Sequence, residues 1–320
     1  MQDVYDVIIL GAGPGGLAAG IYTGRSRLST LLIEKAQDGG QIAITDAIEN
    51  YPGQLLEGES GPTLIARMTK QAEKFGVERA ADTVKEVHLA GDIKEVIGTK
   101  GTYKARTIIL ATGASHKPIG CIGEKEYQSR GVSYCATCDA DFFADFDVYV
   151  VGGGNSAVQE AIYLTKFAKH VTIIHRRDKL RAVPSLQEQA FANDKISFLW
   201  DTEVQEIGGD EVLQWMIVKN KKTGETKRIE ADEEDGLFGL FGFIGLVPTT
   251  ELFEDQIDME DGYVVTDEDM HTNIPGVYAV GDMRKKSLRQ VITAAADGAI
   301  AAMQAEKYLT EQRHEVYYGS

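Results

Sequence analysis

The sequence is poor in cysteine and has no long apolar run. Three cysteines among 320 residues are too few for a disulfide scaffold of the kind that small secreted proteins use. The longest apolar run, Leu237 to Pro248, is interrupted by glycines and is too short to span a bilayer. The N-terminus lacks the basic segment and the small-residue cleavage site of a signal peptide. We therefore expect a cytoplasmic protein that is not bound to a membrane.

Basic residues are also scarce relative to acidic ones. The chain has 33 lysines and arginines against 49 acidic residues, which gives a formal net charge of −16. Such a surface repels the phosphates of nucleic acids and of anionic membranes, so we expect neither as a partner. A hydrophobic content of 43% is enough for a sizeable core, and the length favours two domains.

A glycine-rich turn follows the first apolar run. Residues 6–16, DVIILGAGPGG, place Gly11, Gly13 and Gly16 in GxGxxG spacing, with Pro14 at the start of a helical pattern. A turn of this kind lets the backbone approach a pyrophosphate, which then lies at the helix N-terminus. The next predicted strand, TLLIEK, ends in Glu34, whose carboxylate can accept a hydrogen bond from a ribose hydroxyl. The combination predicts a dinucleotide site.

The same pattern returns at residues 147–157, DVYVVGGGNSA. Gly152, Gly154 and Ala157 have GxGxxA spacing, and a helical pattern and a strand follow. His175 lies as far from Gly152 as Glu34 lies from Gly11, so a histidine takes the place of the acid. The chain therefore carries two dinucleotide folds, and their ligands must differ.

Basic residues follow His175 in the segment HRRDKLR. Together with His175, the residues Arg176, Arg177 and Arg181 fall where the 2′-substituent of a ribose would lie. Guanidinium groups bind a 2′-phosphate through charge-assisted hydrogen bonds, whereas a carboxylate would repel it. The second fold should therefore prefer NADPH to NADH. The alternative is a solvated basic face at the end of a strand.

Two further strand patterns belong to the first fold. Residues 107–115, TIILATGAS, end in a glycine turn, and residues 274–283, IPGVYAVGDM, deliver Asp282. Asp282 could hold the hydroxyl chain of a flavin or cap the following helix. The order of motifs predicts an α/β protein with two Rossmann-like dinucleotide-binding domains, the second inserted in the first. The expected boundaries are 1–117 and 246–320 for the FAD-binding domain and 118–245 for the NADPH-binding domain.

Cys135 and Cys138 form a CxxC motif within CATCD. A structural zinc site needs four ligands, and only Cys121 and six scattered histidines remain to complete one. A redox pair is favoured over zinc and over a structural clip, because a nucleotide fold follows directly. Asp139 could transfer a proton to or from a leaving thiolate, or act as a helix N-cap. Cys121, between glycines, is expected to be a packed thiol.

Together, two nucleotide folds and a CxxC motif suggest an electron pathway. A hydride donor in the second fold could reduce a flavin in the first fold. The flavin could then pass two electrons to the disulfide formed by Cys135 and Cys138.

An ordered set of motifs resembles the low-molecular-weight thioredoxin reductases. The set comprises GAGPGG, GGQ, ATGAS, CATCD, GGGNSA, HRRDKLRA, FIGLVP and GVYAVGD followed by RQ, and it extends from about Asp6 to Leu309. The resemblance implies a homodimer with tightly bound FAD, which takes hydride from NADPH and reduces the disulfide of thioredoxin or of a thioredoxin-like protein. It also implies a cytoplasmic location.

The resemblance also assigns individual residues. It implies that Cys138 faces the flavin, that Cys135 meets thioredoxin and that Asp139 is the acid or base. The FAD positions are Gly11, Gly13, Pro14, Gly16, Glu34, Gly40, Gln41, Asn50, Thr112, Gly113, Gly281, Asp282, Arg289 and Gln290. The NADPH positions are Gly152, Gly154, Asn155, Ser156, Ala157, His175, Arg176, Arg177 and Arg181.

The sequence departs from the family pattern in two places. Gly242, in the segment with a doubled GLF, replaces a larger apolar residue, which predicts either a local bulge or a close backbone approach. Gln159 and Glu160 stand where two acids are common.

Other functions fit the sequence less well than a reductase does. A ferredoxin-linked thioredoxin reductase or an oxygen-using dithiol oxidase would not need the arginine set. A ferredoxin–NADP reductase of related fold would lack the CxxC motif. A protein that only binds or senses nucleotides would not need a redox disulfide.

Overall fold

The computed structural model describes residues 3–35, 37–44, 48, 50–55 and 58–318. Its strands, in chain order, are β1 (Tyr5–Leu10), β2 (Thr30–Glu34), β3 (Glu78–Ala81), β4 (Val84–His88), β5 (Lys94–Gly98), β6 (Thr102–Leu110), β7 (Ala114–His116), β8 (Val132–Ser133), β9 (Asp147–Val151), β10 (His170–Ile174), β11 (Ile196–Leu199), β12 (Thr202–Gly208), β13 (Trp215–Asn220), β14 (Thr226–Glu230), β15 (Gly239–Gly242), β16 (Leu246–Pro248), β17 (Met259–Glu260), β18 (Tyr263–Val264) and β19 (Val277–Ala279).

Helices connect the parallel strands. The α-helices are α1 (Pro14–Arg25), α2 (Gly61–Lys74), α3 (Ala136–Asp139), α4 (Asn155–Leu164), α5 (Pro184–Phe191) and α6 (Val291–Tyr318). Short 3₁₀-helices cover Gly40–Ile44, Ala140–Phe143 and Gly281–Met283. Proline occupies the first turn of α1, α2 and α5, where the missing N–H costs no hydrogen bond.

The chain divides into two compact units. Unit 1 runs to Ser115 and resumes at Val247, and unit 2 extends from His116 to Leu246. The chain passes from one unit to the other along β7 and returns along β16, and these two strands pair with each other. The sequence predicts domain boundaries after residues 117 and 245, and the assignment of FAD and NADPH to the two domains stays a prediction.

Unit 1 contains a sheet in the order β3-β2-β1-β6-β5-β4, with β19 also paired to β6. The pairs β3–β2, β2–β1, β1–β6 and β6–β19 are parallel, whereas β4, β5 and β6 form an antiparallel meander. Strands β1, β2 and β19 are buried along nearly their whole length, as strands covered on two sides must be, whereas the edge strand β3 is largely exposed. One hydrophobic cluster includes residues of α1, α2 and α6, and a second lies against the opposite face of the sheet.

Unit 2 repeats this arrangement. Its parallel sheet has the order β11-β10-β9-β15-β8, and β12, β13 and β14 form an antiparallel meander. Residues of α4 and α5 contribute to one hydrophobic cluster, and residues of the meander contribute to another. The predicted fold, two Rossmann-like dinucleotide-binding folds in one α/β chain, is thereby confirmed.

Gly242 lies in a regular strand rather than in a bulge. Strand β15 pairs with β9 in unbroken register from Gly239 to Gly242. A Cβ placed on Gly242 would lie 2.8 Å from the Tyr134 ring and 3.0 Å from Ile119. The glycine therefore makes room for the aromatic side chain that directly precedes Cys135.

Candidate active site

The glycines of the first turn have two different roles. A Cβ on Gly11, which has a φ of +108°, would meet the carbonyl oxygen of Ala111 at 2.4 Å. A Cβ on Gly16 would meet the carbonyl oxygen of Gly11 at 1.9 Å, so both positions are closed by the protein itself. At Gly13 the nearest atom would be 4.0 Å away. Gly13 therefore borders open space, as expected where a pyrophosphate approaches the backbone.

Glu34 is tied to this turn. Its Oε2 accepts a hydrogen bond from the backbone N–H of Ala12 at 3.0 Å. The carbonyl of Ala12 accepts a hydrogen bond from Gly39 at 2.9 Å, which joins the turn to the loop that carries Gly40 and Gln41. The carboxylate, the glycine turn and the GGQ loop are thus brought together at the carboxyl ends of β1 and β2.

Asp282 follows β19 at the same edge of the unit 1 sheet. Its Oδ1 is buried and has no hydrogen-bond partner among the described residues. Burial raises the pKa of Asp282, an effect that the charges of Lys286 and Arg289 partly oppose. A buried carboxyl oxygen without a partner is costly, and a hydroxyl group of a ligand would satisfy it. Asp282 and the open turn at Gly13 therefore fit FAD.

The remaining predicted FAD residues lie in unit 1 with definite partners. The Arg289 guanidinium lies 4.2 Å from the centre of the Tyr263 ring, and its Nε donates to the carbonyl of Asp282 at 3.2 Å. Asn50 Nδ2 donates to Gln290 Oε1 at 3.1 Å. Two further residues close the turn after β6: Thr112 Oγ1 donates to the carbonyl of Thr249 at 2.5 Å, and Gly113 has a φ of +72°.

The second glycine turn has the same division of roles. A Cβ on Gly152 would lie 2.6 Å from the Ala157 Cβ and from the carbonyl oxygen of Phe243, whereas nothing lies within 4 Å of one on Gly154. Asn155 Oδ1 accepts a hydrogen bond from the backbone N–H of Val183 at 2.8 Å. Ser156 follows Asn155 in the first turn of α4 and is exposed. Gly154 thus borders open space at the start of this helix.

His175 lies beneath this turn rather than among the arginines. The side chain is buried, and a Cβ on Gly153 would meet its Nδ1 at 2.3 Å. Its Nε2 has no hydrogen-bond partner among the described residues. Burial and the nearby positive charge of Arg181 lower the pKa of His175, so the ring is neutral at pH 7. The predicted role of His175 in holding the 2′-phosphate stays a prediction.

The three arginines are exposed. Within the described ranges, no side chain makes a hydrogen bond or an ion pair with Arg176, Arg177 or Arg181. Their loop is nevertheless held in place, because Arg181 N donates to the carbonyl of Gly153 at 2.7 Å. Three unpaired guanidinium groups beside an open glycine turn are suited to bind an anion, such as a ribose 2′-phosphate.

Cys135 and Cys138 form a disulfide. Their Sγ atoms are 2.09 Å apart and their Cα atoms are 5.3 Å apart. Both residues are partly exposed at the start of α3, so a partner protein can reach the pair. Across the described ranges, no group of three or more histidines, cysteines and carboxylates is arranged to hold a metal. Cys121 is a free thiol, and burial beside Glu124 raises its pKa to about 12.

Asp139 is held by a residue that the sequence analysis missed. Ser133 Oγ donates to Asp139 Oδ2 at 2.5 Å and accepts from the backbone N–H of Cys135 at 3.1 Å. Asp139 precedes a 3₁₀-helix but makes no side-chain capping bond to it. The predicted N-cap bond is thus not formed by the Asp139 side chain, and its acid–base role stays a prediction. An Ser-x-Cys pattern before the CxxC motif is too short a signal to have revealed this link.

A second group missed from the sequence lies beside Cys135. Tyr134 donates a short hydrogen bond to Glu124, whose carboxylate also accepts the backbone N–H groups of Ile119 at 2.6 Å and Gly120 at 2.7 Å. The Tyr134 ring stacks on His116, with the ring centres 5.2 Å apart. Burial and the Glu124 carboxylate raise the pKa of Tyr134. Tyr134, the residue before Cys135, is thus held by its hydrogen bond to Glu124 and by stacking on His116, and its ring occupies the space that Gly242 leaves.

Comparisons with known proteins show the family of this chain. A family model described as pyridine nucleotide-disulphide oxidoreductase matches residues 5–298. A thioredoxin reductase of Peptoclostridium litorale is 54% identical over 97% of this chain and 99% of its own, and one of Listeria monocytogenes is 46% identical over 98% and 97%. The crystal structure of thioredoxin reductase from Streptococcus pyogenes has a TM-score of 0.91 and 46% identity, covering 97% of this chain and 100% of that one. Thioredoxin reductase from Giardia duodenalis has a TM-score of 0.89 and 33% identity, over 97% and 100%.

The chain therefore belongs to the pyridine nucleotide-disulphide oxidoreductase family, in the branch of the low-molecular-weight thioredoxin reductases that its motifs resemble. Among the residues that the structure describes, no helix is long and apolar enough to cross a membrane.

Proposed function

We propose that this protein is an NADPH-dependent thioredoxin-disulfide reductase that uses FAD. The observation that carries the proposal is the partly exposed Cys135–Cys138 disulfide in the unit that also holds an open glycine turn and three unpaired arginines. Relatives that are 46–54% identical over nearly their whole length carry the name thioredoxin reductase. The redox pair and the nucleotide sites are thus explained by one reaction.

FAD would be held by unit 1. Gly13 leaves the N-terminus of α1 open to the pyrophosphate, Glu34 lies at the ribose position of the fold, and Asp282 offers a buried acceptor to a hydroxyl group. When bound, FAD supplies the two-electron carrier that couples oxidation of NADPH to reduction of a disulfide.

NADPH would be held by unit 2. Gly154 leaves the start of α4 open to the pyrophosphate, and Arg176, Arg177 and Arg181 present unpaired guanidinium groups to the 2′-phosphate. The position of His175 beneath Gly153 supports this arrangement, because a neutral ring packs under the turn without repelling the arginines. A carboxylate at that position would pair with them and weaken the anion site.

The cysteines then carry out thiol–disulfide exchange. The Cys135 thiolate attacks one sulfur of the thioredoxin disulfide, a mixed disulfide forms, and the other thioredoxin sulfur leaves as a thiolate and gains a proton. Cys138 attacks Cys135 Sγ, which re-forms the intramolecular disulfide and releases thioredoxin with both thiols reduced. Asp139, oriented by Ser133, exchanges the proton that each thiol gains or loses.

We also propose a homodimer in the cytoplasm, on the strength of the family resemblance. Partly exposed apolar side chains on two helices of unit 1 fit self-association. Tyr22 of α1 and Ile292, Ile300 and Met303 of α6 are 37–49% exposed.

Other electron donors or acceptors are less well supported. A ferredoxin-linked reductase or an oxygen-using dithiol oxidase has no use for an unpaired arginine cluster beside a second glycine turn. The proposal is tested by mixing the FAD-loaded protein with a thioredoxin and either NADPH or NADH. Thioredoxin reduction that is much faster with NADPH supports it, whereas no reduction with either nucleotide would refute it.

A further inference from the structure

A buried carboxylate of α6, Asp297, lies behind the turn that presents Asp282. The side chain of Asp297 is 8% exposed. Its Oδ1 accepts from Arg284 Nη1 at 2.9 Å, and its Oδ2 accepts from Lys286 Nζ at 2.7 Å. Oδ2 also accepts the backbone N–H of Gly281 at 3.0 Å. One carboxylate therefore joins two cations and the first residue of the 3₁₀ turn.

The two cations are nearly buried beside it. The side chains of Arg284 and Lys286 are 12% and 10% exposed. Buried ion pairs are costly to assemble, and replacing them by apolar residues is often neutral or stabilising. The cluster is therefore weak evidence for stability, and its contacts with the neighbouring turn are the better guide to its role.

The hydrogen bonds show which part of the chain the cluster holds. Gly281 has a φ of +74°, a conformation that glycine adopts without strain. Arg284 N donates to the carbonyl of Gly281 at 3.3 Å, and Arg284 Nε donates to Thr266 Oγ1 at 2.9 Å. Asp297 thus holds the turn on both sides of Asp282, by its hydrogen bond to Gly281 and by its ion pair with Arg284.

Asp282 itself provides the independent sign of a ligand. Its Oδ1 is buried and finds no acceptor or donor partner within the described part of the chain. Asp297 makes no hydrogen bond to Asp282 in any of the contacts above; it holds the backbone from which that side chain projects.

We propose that Asp297 is a positioning residue for FAD. Its two ion pairs and its bond to Gly281 set the 3₁₀ turn so that the buried Oδ1 of Asp282 meets a hydroxyl group of the cofactor. The proposal deepens the proposed function and rests on FAD being the ligand of unit 1.

The test compares two buried carboxylates of unit 1. Asp82, 3% exposed, accepts the backbone N–H groups of Thr99 at 2.9 Å and Lys100 at 3.1 Å and the Tyr103 hydroxyl at 3.0 Å, so it is a structural counterpart without a contact to the Gly281 turn. Asp297→Asn and Asp82→Asn are purified without FAD, and the FAD Kd of each is measured by fluorescence titration. Urea unfolding of the two apoproteins gives their stabilities.

Asp297→Asn is expected to raise the FAD Kd by about tenfold to a hundredfold, because charge-assisted hydrogen bonds that hold the turn are lost. Asp82→Asn is expected to leave the Kd within about twofold even where the apoprotein is less stable. Hydrogen exchange at the Gly281 amide should speed up in Asp297→Asn alone. The midpoint potential of the bound flavin should become more positive in Asp297→Asn, since a negative charge has been removed.

Equal changes in Kd for the two variants, or an unchanged Kd in Asp297→Asn, would overturn the proposal. If Asp297→Asn does not fold, Lys286→Met removes one ion pair without adding a polar atom, and it must also raise the Kd. Failure of this proposal can be told apart from failure of the proposed function. If the wild-type protein reduces thioredoxin while Asp297→Asn binds FAD normally, only the role of Asp297 is wrong.

Discussion

The two glycine turns have the same backbone but differ at the end of the following strand. In the first turn protein atoms leave no room for a Cβ on Gly11 or Gly16, and in the second they leave none on Gly152, whereas Gly13 and Gly154 border open space. At the end of β2, Glu34 accepts a hydrogen bond from the backbone N–H of Ala12 in the first glycine turn. After β10, His175 is buried under the turn, and the charged groups are the three exposed arginines. We therefore propose that the glycines provide the place for a pyrophosphate and that the next strand end determines which nucleotide is preferred.

The largest expected effect comes from the redox motif and should leave the nucleotide sites intact. Cys135→Ser removes the sulfur that forms the mixed disulfide, so thioredoxin turnover should fall by more than about a thousandfold. FAD content should match the wild-type protein, because Cys135 lies outside unit 1. Both are measured on one preparation, by an NADPH–thioredoxin assay and by the flavin absorbance. Near wild-type turnover would refute the redox role.

The next effect tests the nucleotide preference of unit 2. Replacing both Arg176 and Arg181 by Ala should raise the KM for NADPH by about tenfold to a hundredfold, because charge-assisted contacts to the 2′-phosphate are lost. The KM for NADH should hardly change. Arg228→Ala is the control, since Arg228 is an exposed arginine of the same unit that pairs with Glu230. Equal losses for NADPH and NADH would count against the assignment.

A pair of glycine variants tests the equivalence of the two turns. Gly13→Ala and Gly154→Ala each add a methyl group where the protein leaves space, so both should fold. Each should lower the affinity for one ligand by about tenfold or more, FAD for the first and NADPH for the second.

Gly20→Ala, in the same helix as the first turn, is the control for the pair of glycine variants. A Cβ there would make ordinary contacts at 3.6–3.7 Å, so both affinities should be unchanged. The proposed equivalence of the two turns would be wrong if Gly13→Ala weakened the binding of NADPH, or if Gly154→Ala weakened the binding of FAD.

The smallest effect concerns Gly242. Gly242→Val should lower the free energy of unfolding by about 1–3 kcal/mol, because the added side chain overlaps the Tyr134 ring. Tyr134→Ala should relieve most of this loss when the two changes are combined, which denaturant unfolding of the four proteins would show. A loss in Gly242→Val that persists in the Tyr134→Ala background would mean that another contact is responsible.

Sequence patterns predicted the fold because the glycine turns, the strand runs and the CxxC motif are local signals. The groups around the site were missed because their partners are distant in sequence. Asp297 accepts a hydrogen bond from Gly281, which is 16 residues away in the sequence, and Glu124 accepts one from Tyr134, which is 10 residues away. Neither acid lies in a motif, and each gains its role only when the chain folds. The buried place of His175 was missed for a related reason, since the spacing gives its position along the strand and not the direction of its ring.

An anaerobic titration with NADPH tests the central claim most directly, namely that the nucleotide sites deliver electrons to the Cys135–Cys138 disulfide. The FAD-loaded wild-type protein should take up about two equivalents of NADPH per chain, one for each two-electron acceptor. Cys138→Ser should take up about one equivalent, because only the flavin remains to be reduced. A wild-type protein that stops at one equivalent, or a Cys138→Ser variant that takes up two, would contradict the account.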